Sequence, residues 1–258
     1  MFRIGRFLSG AFLLMAMSVP AVADTFQDDF GDNAMGPQWT LVQDDPPRLW
    51  LEETLGRLEL RAAAPVSSST DALYLSNGAG GLQLGVSSDF TVSIDYNFSA
   101  FSGTGGIALD LGIGRDLAGT DAAAVAYLRY NVPTDPFSPL KDRALGAAYR
   151  VGNVQQEVPI ALSFPDSGTL TLHYDSAADQ LTLGAGASTT ILANLVKGQW
   201  NADTVWVSFG GRGEGLTLGS GNAYLDNLSV TGDIVAAPEP ATLALVALGG
   251  LAVLRRRR

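Results

Sequence analysis

Hydrophobic and polar residues alternate along most of the chain between residues 24 and 231. The segment FTVSIDYNF (90–98) places its aromatic and aliphatic side chains on one face and its polar side chains on the other. A period of two is typical of a β-strand with one buried face. The same period occurs in RLELRA, IALDLGI, TLTLHYD and VWVSF, and turn-forming sequences such as SNGAGG, DSAADQ and GGRGEG lie between these runs.

This spacing predicts an all-β fold, an antiparallel two-sheet jelly-roll sandwich. No amphipathic helix of ten or more residues is evident within residues 24–231, for which we expect a single domain. The segment NVPTDPFSPLKDR (131–143) is interpreted as a long loop over the sandwich. We expect the first strand, near residues 27–30, to lie beside the last, near residues 224–230. A bulge is expected where Asp226 and Asn227 interrupt the alternation.

The first 23 residues have the three parts of a secretory signal. Arg3 and Arg6 precede an apolar run over residues 7–19, and small residues follow up to Ala23. We therefore predict a signal peptide over residues 1–23 that is cleaved after Ala23. The alternative is an uncleaved anchor, which the shortness of the apolar run disfavours.

The opposite end of the chain is also apolar and basic. Residues 232–240 are interpreted as a linker that ends in Pro238, Glu239 and Pro240. A C-terminal tail over residues 241–258 then combines an uncharged run with the cluster Arg255, Arg256, Arg257 and Arg258. As a helix, the fourteen uncharged residues 241–254 would span about 21 Å, less than a hydrocarbon core of about 30 Å. We therefore expect a short hydrophobic helix that associates transiently with the membrane and keeps its arginines in the cytoplasm.

The order of Pro-Glu-Pro, apolar segment and arginine cluster resembles the PEP-CTERM sorting signal of Gram-negative bacteria. The resemblance implies that an exosortase processes the tail at or near Pro238, Glu239 and Pro240. It also implies delivery to the cell surface or to an exopolysaccharide matrix. These implications concern where the protein goes, and the function of residues 24–231 needs a separate argument.

Charge and composition narrow the possible functions of that body. Between residues 24 and 240 there are ten basic and twenty-six acidic residues, a formal charge of −16. Such a surface repels nucleic acid and anionic lipid. The chain has no cysteine, so disulfides and thiolate metal sites are excluded. Its single histidine, His173, is expected at the surface rather than in a catalytic triad.

The opening segment FQDDFGDNAMGPQWTLV and the closing segment GNAYLDNLSVTG resemble those of the concanavalin A-like lectin/glucanase superfamily and its laminin-G-like relatives. Glucanases of that superfamily carry a Glu-x-Asp-x-x-Glu string on one strand, and this chain has none. We therefore expect a non-catalytic surface or matrix protein that binds polysaccharide. The alternative is a glucanase-like enzyme with atypical carboxylates.

Four residues are candidates for a glycan site: Asp110, Tyr127, Arg129 and Trp206. Each lies opposite the apolar face of its own strand, and aromatic rings with charged groups are typical of glycan sites. The period does not show whether they are neighbours, so four isolated surface side chains remain the alternative. No cofactor is expected. Aspartates in turns leave Ca²⁺ binding open, although turn formation is the commoner role of such aspartates.

Overall fold

A computed structural model describes residues 23–46, 48–63, 70–76, 82–98, 102–115, 122–130 and 143–235. The predicted signal peptide up to residue 22, most of the predicted loop (131–142) and everything from residue 236 on, including the predicted linker end and tail, lie outside the described residues. Ala23 is exposed and immediately precedes the first strand.

The described residues form two antiparallel sheets that face each other, which confirms the predicted sandwich. Sheet A contains, in spatial order, β14 (Ser188–Ala193), β13 (Gln180–Ala185), β12 (Ser167–Asp175), β7 (Phe90–Phe98), β16 (Ala223–Gly232), β4 (Arg57–Ala62) and β3 (Leu49–Thr54), with β1 (Asp24–Asp28) also paired with β16. Sheet B contains β11 (Val154–Ala161), β10 (Arg143–Val151), β9 (Ala122–Tyr130), β8 (Ser102–Gly114), β15 (Thr204–Thr217), β5 (Thr70–Leu75) and β2 (Thr40–Gln43), with β6 (Gln83–Gly85) on β15 and β17 (Ile234–Val235) on β6.

The alternation in the sequence matches the alternation in burial. In β7 every second residue from Phe90 to Phe98 is buried and the residues between them are partly exposed. In β15, Val205, Val207 and Phe209 face the core while the residues between them face outwards. The two inner faces therefore share one apolar core, as period-two patterning requires in a sandwich.

Asp28, Phe30 and Trp39 of the opening segment hold the first strand against this core. The Phe30 and Trp39 rings lie 5.9 and 4.8 Å, between centroids, from the ring of Phe209. The Asp28 carboxylate accepts hydrogen bonds from the Phe30 backbone N–H at 3.0 Å and from the Trp39 indole N–H at 3.0 Å. One short segment thus supplies two core aromatics and the polar group that holds them in place.

The first strand and the last long strand pair as the sequence predicts. β1 runs antiparallel to β16, with Asp24 opposite Gly232 and Asp28 opposite Leu228. The register of β16 against β7 shifts between Asp226 and Ser229, and Asn227 has a φ of 49°, which confirms the expected bulge.

The predicted linker begins too early. β16 continues to Gly232, and β17 covers Ile234 and Val235, which pair with Leu84 and Gln83 of β6. Ile234 packs against the core, so hydrophobic burial keeps this segment in sheet B. Residues 232–235 therefore belong to the sandwich.

Helical structure is minimal in the part of the chain that the structure describes. A five-residue π-helical turn, Leu195–Gln199, follows β14 and buries Leu195 and Val196. Among the described residues, no helix has the length and apolar character needed to cross a membrane.

Candidate functional site

The outer face of sheet B brings the four predicted glycan-site residues together. Register places Asp110 of β8 between Tyr127 of β9 and Gly210 of β15. Arg129 and Arg212 lie opposite Ala108, from β9 and β15 respectively. Trp206 lies opposite Gly114 at the other end of the same strands.

A cleft of about 260 Å³ opens on this face, and Asp110, Tyr127, Arg129 and Trp206 all line it. Its lining includes several small residues, among them Ala108, Gly114, Ala123 and Ala148.

Gly112 and Gly210, in the same strands, lie where a side chain would clash with neighbouring atoms. A Cβ at Gly112 would lie 2.5 Å from Cγ1 of Val125, and a Cβ at Gly210 would lie 2.3 Å from the carbonyl oxygen of Ala72. Gly210 also has a φ of 151°, which a side chain disfavours. Neither position has room for a side chain unless its neighbours move.

Asp110 lines the cleft and has no hydrogen-bond partner among the described residues. Burial raises the pKa of its carboxyl group to about 6, even though the positive charges of Arg212 and Arg129 act to lower that pKa. Asp110 is partly exposed to the cleft, and a carboxylate that has lost part of its hydration without gaining a hydrogen bond is costly to the fold. A ligand with hydroxyl donors would satisfy it.

The other charged groups of the cleft are held by neighbours. Arg212 makes a bidentate ion pair with Asp71 on the adjacent strand β5, with Nε–Oδ1 and Nη2–Oδ2 distances of 2.5 and 3.2 Å. The Tyr127 hydroxyl donates to Glu157 at 3.4 Å, and the guanidinium of Arg129 lies 5.3 Å from the Tyr127 ring centroid. Burial and the negative charge of Glu157 raise the pKa of Tyr127, which stays protonated and donates its proton to the hydrogen bond with Glu157.

Sequence reasoning missed four charged residues of the cleft, namely Asp71, Arg150, Glu157 and Arg212. Arg212 follows Trp206 at an even spacing in β15, so the period-two rule could have identified it. Asp71 and Glu157 line the cleft because β5 pairs with β15 and β11 pairs with β10. That pairing has no local signal in the sequence.

The remaining candidate chemistry lies elsewhere. His173 is exposed on sheet A, where its Nδ1 is 2.9 Å from Oγ1 of Thr91. Within the described residues, no group of three His, Asp or Glu side chains could hold a metal ion. The predicted sorting residues Pro238, Glu239, Pro240 and Arg255 to Arg258 lie outside those residues.

Solved structures resemble this sandwich over most of its length. They include the Bacteroides ovatus mixed linkage glucan PUL GH16 in complex with its product (13% identity, TM-score 0.53, 80% of this chain and 98% of that chain). Peanut lectin with a 9mer peptide is similar at 16% identity and a TM-score of 0.51, over 84% of this chain and 100% of that chain. The CBM2 module of the evolved Dit of Lactobacillus casei BL23 phage J-1 is similar at 12% identity and a TM-score of 0.52, over 83% of this chain and 99% of that chain. No curated protein matches the chain by sequence.

The sandwich therefore has the concanavalin A-like lectin/glucanase fold, as the opening and closing segments suggested. At the other end of the chain, a family model described as the PEP-CTERM protein-sorting motif matches residues 236–258. The chain thus carries a PEP-CTERM sorting motif behind a concanavalin A-like sandwich. Such motifs mark exported proteins that are processed at the membrane.

Proposed function

We propose that this is an exported, non-catalytic protein whose sandwich binds a segment of uncharged polysaccharide in the cleft of sheet B. The observation that carries the proposal is the position of Asp110, a carboxylate without a hydrogen-bond partner among the described residues, in a cleft that Trp206 and Tyr127 also line. Aromatic rings pack against the apolar faces of sugars, and a carboxylate accepts hydrogen bonds from sugar hydroxyls.

The charge balance of the cleft favours a neutral ligand. Three cationic side chains (Arg129, Arg150 and Arg212) face three carboxylates (Asp71, Asp110 and Glu157). The negative charge of the whole body additionally repels anionic polymers. An uncharged, hydroxyl-rich chain fits both features.

Relatives of the fold support a sugar ligand in a general way. One of the similar structures is a mixed linkage glucan GH16 and another is a lectin. Sequence identities of 13% and 16% support the shared fold, so the choice of sugar rests on the cleft itself.

A second candidate function, polysaccharide cleavage, is favoured by one observation: a pKa of about 6 at Asp110 suits a general acid. Glycosidases pair such a group with a second carboxylate at most about 9.5 Å away. The backbone of Glu157 lies three strands from that of Asp110, about 14 Å across the sheet, and the Glu157 carboxylate accepts a hydrogen bond from the Tyr127 hydroxyl. Asp71 is held in its ion pair with Arg212. We therefore prefer binding without cleavage.

The test of this choice is a screen of the exported protein against neutral and anionic polysaccharides, with calorimetry for binding and a reducing-sugar assay for cleavage. We expect binding to at least one neutral polysaccharide and no release of reducing ends. Reproducible cleavage that disappears in Asp110→Asn would establish the enzyme instead. Binding to anionic polymers alone would refute the neutral-ligand proposal.

We further propose that an exosortase removes the tail at or near Pro238, Glu239 and Pro240, and that the protein then resides at the cell surface or in the extracellular matrix of a Gram-negative bacterium. The sorting motif over residues 236–258 supports this proposal. Mass spectrometry of the mature protein tests it, with a variant in which all three residues are alanine as the control. Recovery of an intact Arg258 terminus from a host with an exosortase would contradict it.

A further inference from the structure

The chain leaves the sandwich through a very short strand at the edge of sheet B. Val235 pairs with Gln83 and Ile234 with Leu84, and the Gly85 N–H donates to the carbonyl oxygen of Asp233 at 2.8 Å. We call residues 233–235 the strap. Its partner β6 is itself only three residues long and is held by β15.

The strap lies very close to the sorting motif. Pro238 follows Val235 by three residues, so at 3.3–3.6 Å per residue the two Cα atoms are at most about 11 Å apart. Only Ala236 and Ala237 separate the paired backbone of β17 from Pro238. Enzymes that cut a chain act preferentially where the backbone is exposed and unpaired.

We propose that the processing enzyme binds the strap together with the Pro-Glu-Pro motif, and that the strap must detach from β6 before the tail can be removed. This inference rests on the proposed processing at that motif. Strap residues thus have two alternative partners, the edge of β6 in the folded sandwich and the enzyme during processing. Detachment is then the step at which folding of the sandwich controls release of the protein from the membrane.

The structure makes detachment feasible without unfolding the sandwich. β17 is two residues long, Val235 is 37% exposed, and Ile234 is only partly buried. By contrast, β1 is held to β16 by five registered pairs. Short, exposed edge segments open locally at a small fraction of the global unfolding free energy. When opening is fast, cleavage follows the population of the open form.

An engineered disulfide tests the proposal. Because the chain has no cysteine of its own, the two introduced cysteines can pair only with each other within the chain. Directly opposed residues of antiparallel strands have Cα atoms about 4.5–5.5 Å apart, within the range of a disulfide. The full chain carrying Gln83→Cys and Val235→Cys is expressed in a host with an exosortase, and tail removal is followed by mass spectrometry. We expect removal to slow by about tenfold or more, and to recover when a reductant opens the bond.

The matched control is Thr25→Cys with Thr231→Cys, which locks β1 to β16 at another registered pair and leaves the strap free. We expect this variant to be processed at the wild-type rate. Normal processing of the oxidised Gln83–Val235 lock would overturn the proposal. Loss of processing in both locked variants would also overturn it, because the effect would then come from general rigidity. A wild-type chain that keeps its tail would instead refute the proposed sorting function.

A second variant tests the same step from the opposite direction. Ile234→Gly removes the core contact of the strap and should raise the population of the detached form. We expect the tail of this variant to be removed several-fold faster than that of the wild type. An unchanged or slower rate contradicts the proposal even if the disulfide fails to form.

Discussion

Glu59 on the outer face of sheet A is fully buried and Asp110 on the outer face of sheet B is partly buried, and the surroundings of these two carboxylates are opposite. Glu59 is 0% exposed and contacts Arg57 at 2.7 Å and Arg61 at 3.1 Å. The Ser220 hydroxyl and the Gly221 N–H donate to Glu59 as well, at 2.9 and 3.1 Å. Asp110 has no hydrogen bond from any residue that the structure describes.

The pKa values of the two groups differ in direction for the same reason. Burial acts to raise the pKa of Glu59, but the hydrogen bonds from Arg57 and Ser220 outweigh burial, and the pKa is lowered. At Asp110 burial prevails and raises the pKa to about 6. A satisfied buried charge fastens neighbouring segments together, whereas an unsatisfied one facing a cleft is available to a ligand.

The largest difference between the two carboxylates should appear in stability. Glu59→Gln removes a charge that two arginines depend on, and we expect the free energy of unfolding to fall by about 3–5 kcal/mol. Asp110→Asn removes an unpaired charge and should leave that free energy unchanged or raise it. Urea denaturation of both variants at pH 7 measures the contrast. Equal losses in the two variants would mean that Asp110 also has a structural partner.

We expect polysaccharide affinity to depend on Asp110 and not on a carboxylate of sheet A. If sugar hydroxyls donate to Asp110, Asp110→Asn weakens binding by about 1.5–3 kcal/mol, which is tenfold or more. Asp95→Asn is the control, because the Asp95 carboxylate on sheet A already accepts hydrogen bonds from Thr169 at 2.6 Å and Asn227 at 3.1 Å. Calorimetry with the polysaccharide that binds best measures the affinities of both variants and of the wild type. Equal affinities for Asp110→Asn and the wild type would remove Asp110 from the site.

Aromatic residues allow the same comparison between the two faces. Trp206→Ala on sheet B should weaken binding by about 1–3 kcal/mol if the indole packs against a sugar ring. Tyr224 on sheet A, whose ring has Arg57 at 4.2 Å from its centroid, is the matched control. We expect Tyr224→Ala to bind as the wild type does. A similar loss in both variants would place the ligand elsewhere or indicate a change in the fold.

The smallest effect concerns the pH dependence of stability. Because burial raises the pKa of Asp110 in the folded state to about 6, above the ordinary value of an aspartate, folding takes up a proton as the pH falls through about 6. Asp110 should therefore add about 1 kcal/mol of stability between pH 7 and pH 5, and this contribution is lost again as the pH rises. The difference in unfolding free energy between the wild type and Asp110→Asn measures it. A difference that does not vary with pH would show an ordinary pKa at Asp110.

Much of the sandwich could be predicted because the period of two determines which face of each strand is buried. That rule placed Asp110, Tyr127, Arg129 and Trp206 on outer faces, and the structure agrees. The pairing of the first strand with the last was predicted separately, from the opening and closing segments, and β1 does pair with β16. Ile234 and Val235 were assigned to a linker because two residues are too few to show any period.

The environment of each carboxylate could not be predicted. Glu59 and Asp110 both alternate with leucines, so their local sequences look alike. What separates them is the long-range contact of Glu59 with Ser220 and Gly221, and the glycine that sheet pairing places beside Asp110. Contacts between residues more than a hundred positions apart leave no local pattern.

The pairing of Asp24 with Gly232 has a consequence for the shape of the newly made protein. Asp24 lies beside Gly232, three residues before the last described residue, so a precursor with its signal peptide and its tail in one bilayer would hang from the membrane as a closed loop. Neighbouring ends are also the condition under which a domain tolerates circular permutation. A permuted chain that joins residue 235 to residue 24 through a short linker and opens at the exposed turn around Gly186 should therefore fold into the same sandwich.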